Sequence, residues 1–183
     1  QKVIAYFKNF PPSTGFGATS LIDAYEKLNN NKAAFKEIKR AWSKLSFEKN
    51  EFSIFITKHG SVTLPFVNER SEFLLWNGMT REANRILPYL SKDDQALAKA
   101  RIALRQQNYG VDFLIKKVPP DLKSNSGLAY ERFLWRVKKG RSEGAIEILE
   151  KQSISKLTLN IPSKWSRKRR DYARQAMRDN KPE

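Results

Sequence analysis

The sequence predicts an all-α protein: an α-superhelix, or solenoid, of antiparallel helical hairpins of the tetratricopeptide-like kind, with no sheet. Apolar residues recur at helical spacing along nearly the whole chain, and no alternating apolar–polar run supports a strand. A ten-residue pattern that begins at Gly78 is repeated from Gly140, 62 residues later. Such a period is typical of two stacked helical hairpins. We therefore expect a single superhelical segment over residues 1–183.

Breaker residues divide the apolar pattern into separate helices. The pattern predicts helices at about 2–9, 17–29, 32–45, 48–58, 64–77, 79–88, 92–107, 110–117, 127–138, 142–151 and 164–179. Pro65 suits a first helical turn, and Ser91 suits an N-cap. Gly60, Gly78 and Gly140 suit left-handed helix ends. Only residues 155–161 are expected to be extended.

The repeated pattern carries the same small residue at the same place in each copy. Ala83 and Ala145 both stand five residues after the turn glycine, and a Leu-Trp pair precedes each copy. A small side chain lets paired helices approach closely, while the glycine ends the first helix. Between the copies, Asn108 lies near the position expected for an intervening turn.

Composition limits the chemistry that this chain can perform. It has 35 Lys plus Arg against 19 Asp plus Glu, a net charge of +16, which favours polyanionic partners. Without cysteine, disulfides and thiolate chemistry are excluded, and a single histidine, His59, excludes multi-histidine metal sites. We expect His59 at a helix end beside Gly60, where a positive charge is favourable. The sequence predicts no catalytic residue, metal, cofactor or membrane span.

The last predicted helix carries the strongest charge signal. Four arginines share one helical stripe at i, i+3, i+7 and i+11: Arg167, Arg170, Arg174 and Arg178. Such a basic amphipathic helix can bind nucleic acid, an anionic membrane or an acidic polymer, or it can be a solvated face. Trp165 opens the apolar face of the same helix. Because it stands beside a predicted loop, it is the tryptophan most open to stacking on a sugar.

The other tryptophans and two arginines have a binding and a structural interpretation. Trp42, Trp76 and Trp135 could stack on sugars, but their helical spacing favours core packing. Arg70 and Arg132 could bind a ligand carboxylate. Structural use is favoured for both, as a clamp on a helix end or as a partner of neighbours such as Glu69 and Glu131.

Nine blocks of sequence are distributed along the whole chain, at residues 12–17, 38–42, 70–76, 83–87, 100–104, 118–119, 127–132, 135–136 and 162–170. They contain Arg70, Trp76, Tyr130, Arg132, Trp135 and Trp42. Taken in order, these blocks resemble the superhelical domain of bacterial soluble lytic murein transglycosylases. Ser166 departs from the pattern, since relatives often carry a second Trp there.

The resemblance implies a periplasmic scaffold that acts on peptidoglycan glycan strands. In that family a separate, C-terminal lysozyme-like domain cleaves MurNAc–GlcNAc bonds to anhydromuramyl products, using a single Glu followed by Ser. Neither that dipeptide nor the family's Gly-Leu-Met-Gln signature occurs here. We therefore expect an internal segment of a longer enzyme, without an active site of its own, whose partners are the glycan strands and its catalytic domain in cis.

Two other classes of protein share part of this pattern. A tetratricopeptide-like module would hold a peptide on its concave face, and a basic helical nucleic-acid binder would use the arginine stripe. The ordered blocks favour the first interpretation. No aromatic or polar base-reading residues accompany the stripe, so a specific nucleic-acid partner is not expected.

Overall fold

The computed structural model describes residues 1–178, which are all-helical and contain no strand, as the sequence predicts. The α-helices are α1 Lys2–Phe7, α2 Gly15–Lys27, α3 Asn31–Lys44, α4 Lys49–Thr63, α5 Val67–Trp76, α6 Thr80–Ile86, α7 Lys92–Gln106, α8 Val111–Lys116, α9 Ser126–Lys138, α10 Ser142–Gln152, α11 Lys156–Leu159 and α12 Pro162–Arg178. Short 3-10 helices follow at Leu64–Phe66, Leu87–Tyr89 and Pro120–Leu122.

The chain divides into two compact units, unit 1 (Gln1–Leu90) and unit 2 (Ser91–Glu183). In unit 1, α2 packs on α3 and α5 packs on α6, while α3 also contacts α4 and α5. The core of this unit holds Trp42, Phe47, Phe55, Leu74 and Ile86, each nearly inaccessible to solvent. A continuous superhelix over the whole chain stays a prediction.

Three hairpins share one two-residue turn. Asn29, Gly78 and Gly140 adopt the left-handed conformation, with φ of 55°, 73° and 69°. The following residue has φ near −80° to −87° and ψ of 60° to 65°, and the second helix of the hairpin begins directly after it. In each turn the backbone N–H groups close back onto carbonyls three and five residues earlier, as in a Schellman motif. The predicted glycine turns are confirmed at Gly78 and Gly140.

The small residue after each turn lies in the hairpin interface. Ala34, Ala83 and Ala145 follow the left-handed residue at the same distance, and all are at most 3% exposed. The repeat therefore has a third copy at α2–α3, which the sequence comparison missed because Asn29 replaces glycine. Asn tolerates the left-handed conformation better than most residues, since its short side chain bonds locally.

The turn between α7 and α8 also begins with a left-handed residue, but the loop from that residue to the next helix is longer than in the three hairpins. Gln107 is left-handed, with φ 59°, one residue before the predicted Asn108. Its N–H donates to the carbonyl of Leu104, and that of Asn108 donates to the carbonyl of Ala103. A second left-handed residue, Gly110, then precedes α8.

Unit 2 is built from the hairpins α7–α8 and α9–α10, and their first helices, α7 and α9, also pack on each other. A cluster of buried residues from α7, α8 and α9 includes Leu97, Leu104, Val111 and Leu128. Gly127 allows the close approach of α9 to α7, because a Cβ there would overlap the guanidinium of the fully buried Arg101.

Three local predictions are wrong. Residues 155–161, expected to be extended, contain the short helix α11, which a reciprocal cap between Ser155 and Thr158 stabilises. Gly60 does not end α4; it has ordinary helical conformation, and the helix continues to Thr63. His59 is consequently an interior helix residue, 5% exposed, and burial lowers its pKa, so a helix-end charge is not its role. The cap at Ser91 and the helical start at Pro65 are confirmed.

Candidate polyanion-binding site

The C-terminal helix α12 is anchored in unit 2 by Trp165, which is completely buried. Its ring lies 5.0 Å from that of Tyr130 and 5.4 Å from that of Phe133, centroid to centroid. Its indole Nε1 donates a hydrogen bond to the carbonyl of Leu159, at 3.1 Å. The prediction that Trp165 is open to a sugar is therefore wrong, because α11 turns directly back onto the ring.

Further contacts hold α12 along α9. The Tyr130 hydroxyl donates to the carbonyl of Lys164, at 3.3 Å, and the ring of Tyr172 lies 6.1 Å from that of Phe133. Burial raises the pKa of both tyrosines. Tyr130, one of the residues that carry the family resemblance, is thus a packing residue between α9 and α12.

The arginine stripe lies on the solvent side of this anchored helix. Arg167, Arg170, Arg174 and Arg178 are all exposed. Arg178 Nη2 donates to the side-chain oxygen of Gln175, at 2.8 Å. Within residues 1–178, no ion pair neutralises the other three arginines. The stripe therefore presents a concentrated positive field on a helix whose other side is fixed, which is what a polyanion surface requires.

The C-terminal half of the stripe, Arg174 and Arg178, borders a groove of about 470 Å³. Arg174, Arg178 and Lys168 line it with Tyr172, and Val137 and Ser142 of the α9–α10 hairpin complete its wall. Asp171 is the one carboxylate among its lining residues; it lies 3.8 Å from Lys168.

The structure thus places Arg174 and Arg178 at a concave surface, whereas Arg167 and Arg170 do not line it. Sequence reasoning missed the contribution of α9 and α10, because no sequence pattern links residues 137 and 142 to a helix about 30 residues away.

Arg70 has a structural role, as the sequence favours. Its side chain is 0% exposed, and its Nη1 donates to the carbonyls of Trp42, at 2.7 Å, and Leu45, at 2.5 Å. Its Nη2 pairs with Glu82 at 3.0 Å. Arg70 therefore clamps the C-terminal end of α3 and joins α5 to α6. The acid partner is Glu82 of the next helix, not Glu69.

Aromatic rings surround the guanidinium of Arg70. Its centre lies 5.2 Å from the ring of Trp42, 5.1 Å from that of Phe47 and 5.7 Å from that of Phe73. Burial lowers its pKa to about 10 despite the Glu82 carboxylate, so the group remains charged at neutral pH. Trp42 and Trp76 are 1% and 4% exposed, which confirms core packing for both.

Arg132 and Trp135 of α9 are only half-buried. Trp135 packs against the core of unit 2, and the guanidinium carbon of Arg141 lies 4.9 Å from the centroid of its ring. Arg132 makes no hydrogen bond or ion pair with another residue in the described part of the chain. Its neighbour Glu131 pairs instead with Arg105, through two Nε–carboxylate contacts of 3.0 Å. Burial and the charge of Arg136 lower the pKa of Arg132, while the carboxylates of Glu147 and Asp112 oppose the shift.

Three wider observations bear on this site. Among the described residues, no group of three or more His, Cys, Asp or Glu side chains is placed to hold a metal ion. No helix over residues 1–178 combines the length and the apolar character needed to cross a membrane. Comparison with protein-family models, with curated proteins and with solved structures finds no match.

Proposed function

We propose that this chain is a non-catalytic scaffolding and peptidoglycan-binding segment of a periplasmic lytic murein transglycosylase, and that α12 contacts the acidic groups of the wall. The proposed binding to peptidoglycan rests on one observation: the arginine stripe is exposed on a helix that the buried Trp165 anchors. The enzyme class and the periplasmic location rest on the ordered sequence blocks.

The positions of the resemblance residues support a scaffolding role. Arg70, Trp42 and Trp76 are buried between helices of unit 1, and Tyr130 lies between helices of unit 2. Three identical hairpin turns, each followed by a buried alanine, support a solenoid of stacked hairpins. Bond cleavage then belongs to a separate domain of the longer enzyme, so we expect this chain alone to release no anhydromuramyl products.

Electrostatics determines what the stripe would bind. Guanidinium groups bind carboxylates and phosphates, and peptidoglycan stem peptides carry carboxylates along every strand. Four arginines without base-reading neighbours give affinity without preference for sequence or sugar. Binding should therefore weaken as salt rises from about 50 to 200 mM, through counterion competition.

Sedimentation with insoluble peptidoglycan tests this proposal. The parent chain should sediment with the wall, and Arg170→Glu/Arg174→Glu should largely remain in solution. The matched control is Lys32→Glu/Lys36→Glu, which makes the same change of charge on the exposed face of α3 and should bind like the parent. Equal binding by all three proteins would contradict a specific role for the stripe.

A nucleic-acid binder is the second candidate, favoured by the same stripe. A random-sequence DNA duplex in the same assay distinguishes the two. Tight DNA binding with sequence preference, together with weak wall binding, would favour the nucleic-acid function and overturn the wall proposal.

A further inference from the structure

A second groove of about 910 Å³ lies within unit 2, between the start of α9 and the end of α10. Its volume is near the upper end of the range for ligand-binding pockets. Three cations, Lys123, Arg132 and Lys151, line it together with several hydroxyl and amide side chains, and no carboxylate does. The side chains that line the groove therefore carry three positive charges and no negative charge.

A comparison of two hairpins explains why Arg132 is available. Arg70 stands eight residues before the left-handed Gly78, and its partner Glu82 stands four residues after it. Arg132 stands eight residues before the left-handed Gly140, but the position four residues after it is Gly144. The α9–α10 hairpin thus keeps the arginine but has no acid at the position of Glu82; its nearby acid, Glu147, pairs with Arg136 at 3.3 Å.

Arg132 is consequently held less firmly than Arg70. Arg70 donates to helix-end carbonyls and to Glu82. Arg132 lines the groove and makes no hydrogen bond or ion pair with another described residue, although the carboxylates of Glu147 and Asp112 act on its charge from beyond ion-pair distance. A half-buried guanidinium whose N–H donors are not used favours an external anion, because a carboxylate would satisfy both its charge and its donors.

Aliphatic side chains form the rest of the groove. Ile154 and Leu157, at its rim, are 80% and 90% exposed, and Ile148 lies deeper. Exposed aliphatic residues next to cations suit a ligand that is both acidic and aliphatic. No aromatic residue lines the groove, so a platform for stacking nucleic-acid bases is lacking there.

The walls of the groove are held in place before any ligand binds. The Thr158 hydroxyl donates to the carbonyl of Gln152, at 2.6 Å, which fixes α11 against the end of α10. Asn125 caps α9 by accepting a hydrogen bond from the Leu128 N–H, at 2.9 Å. A preformed groove loses less conformational entropy on binding.

We propose that this groove binds an acidic peptide with aliphatic side chains, whose carboxylates pair with Arg132 and Lys151 and whose aliphatic groups cover Ile154 and Leu157. The inference is independent of the wall-binding proposal, because the two surfaces share no residue.

Fluorescence anisotropy with a fluorescein-labelled octapeptide of alternating Glu and Leu tests the proposal. Arg132→Gln should weaken binding about tenfold or more, as loss of a charge-assisted contact does. The exposed Lys151→Gln should weaken it about threefold or more without affecting the fold. The control Arg170→Gln, on α12, should bind the peptide like the parent. A peptide of alternating Lys and Leu should not bind.

Unchanged peptide affinity in both Lys151→Gln and folded Arg132→Gln would overturn the proposal, as would tighter binding of the Lys-Leu peptide or of a random-sequence oligonucleotide.

Discussion

Arg70 and Glu82 form a buried ion pair, with 3.0 Å between Nη2 and Oε2, that joins α5 to α6. Glu82 also accepts a hydrogen bond from the backbone N–H of Phe47, at 3.1 Å, while Arg70 donates to carbonyls at the end of α3. The pair is therefore the centre of a polar network that connects three helices of unit 1.

Breaking this pair should strongly destabilise unit 1. We expect Arg70→Met to lower the free energy of unfolding by about 3 to 5 kcal/mol, because Glu82 would be left with its charge uncompensated in the interior. Urea denaturation followed by circular dichroism measures the loss. Lys58→Met is the matched control: it removes a half-exposed pair with Asp23 and should cost less than about 1 kcal/mol. Equal costs would contradict the clamp.

Trp165 should be a stability residue and not a ligand residue. Trp165→Ala should cost about 3 to 5 kcal/mol, as truncation of a fully buried aromatic side chain does. Trp76→Ala should cost a similar amount, and Trp135→Ala less, because Trp135 is only half-buried. Thermal melting of the three variants gives this order. A parent-like melting temperature for Trp165→Ala would show that α12 is not anchored through this ring.

Gly127 should not tolerate a larger side chain. Gly127→Ala would place a methyl group on the guanidinium of Arg101, which is fully buried. We expect a loss of about 1 to 3 kcal/mol, typical of overpacking. Gly144→Ala is the control, since the side chain that it meets, Arg136, is partly exposed and can move. Thermal melting should show a lower melting temperature for Gly127→Ala than for Gly144→Ala. Equal melting temperatures for the two variants would contradict the close approach at Gly127.

His59 should make stability depend on pH below neutrality. Burial lowers its pKa in the folded chain below the ordinary 6.5, although the Glu26 carboxylate lies 3.8 Å from Nδ1 and opposes the shift. The unfolded chain then binds more protons, so this contribution to stability is complete above about pH 6.5 and is lost as the pH falls towards the folded pKa.

The variant His59→Gln isolates this effect. Between pH 7 and pH 5 the free energy of unfolding of the parent should fall more steeply than that of the variant. Urea denaturation at several pH values measures both slopes. Parallel slopes would mean that His59 titrates alike in the folded and unfolded chain.

The all-helical fold and two of the repeated turns were predictable, because glycine and alanine at fixed spacing report directly on backbone conformation and close packing. The copy at Asn29 was missed because asparagine can adopt the same turn without being required for it. Gly60 shows the opposite case: a glycine inside α4 is tolerated, and its nearest neighbour to an added Cβ, a Leu64 methyl at 3.8 Å, leaves room for a side chain.

The candidate site was only partly predictable. Helical periodicity places the four arginines on one stripe, and the structure leaves all of them exposed. The exposure of Trp165 was predicted wrongly, because a position next to a loop in the sequence does not show what that loop packs against. The groove at Arg132 was missed for a related reason: its walls come from segments that no sequence spacing links. The sequence offers one signal: the second copy of the repeat has Gly144 at the position that Glu82 occupies in the first.

The proposed function requires that this helical segment binds the acidic groups of peptidoglycan through charge. The most direct test is sedimentation with two preparations of the same purified peptidoglycan, one native and one whose carboxylates have been converted to neutral amides. We expect the parent chain to bind the native wall at low salt and to lose most of that binding on the amidated wall. Equal binding to both preparations, or none to the native wall, would contradict the account.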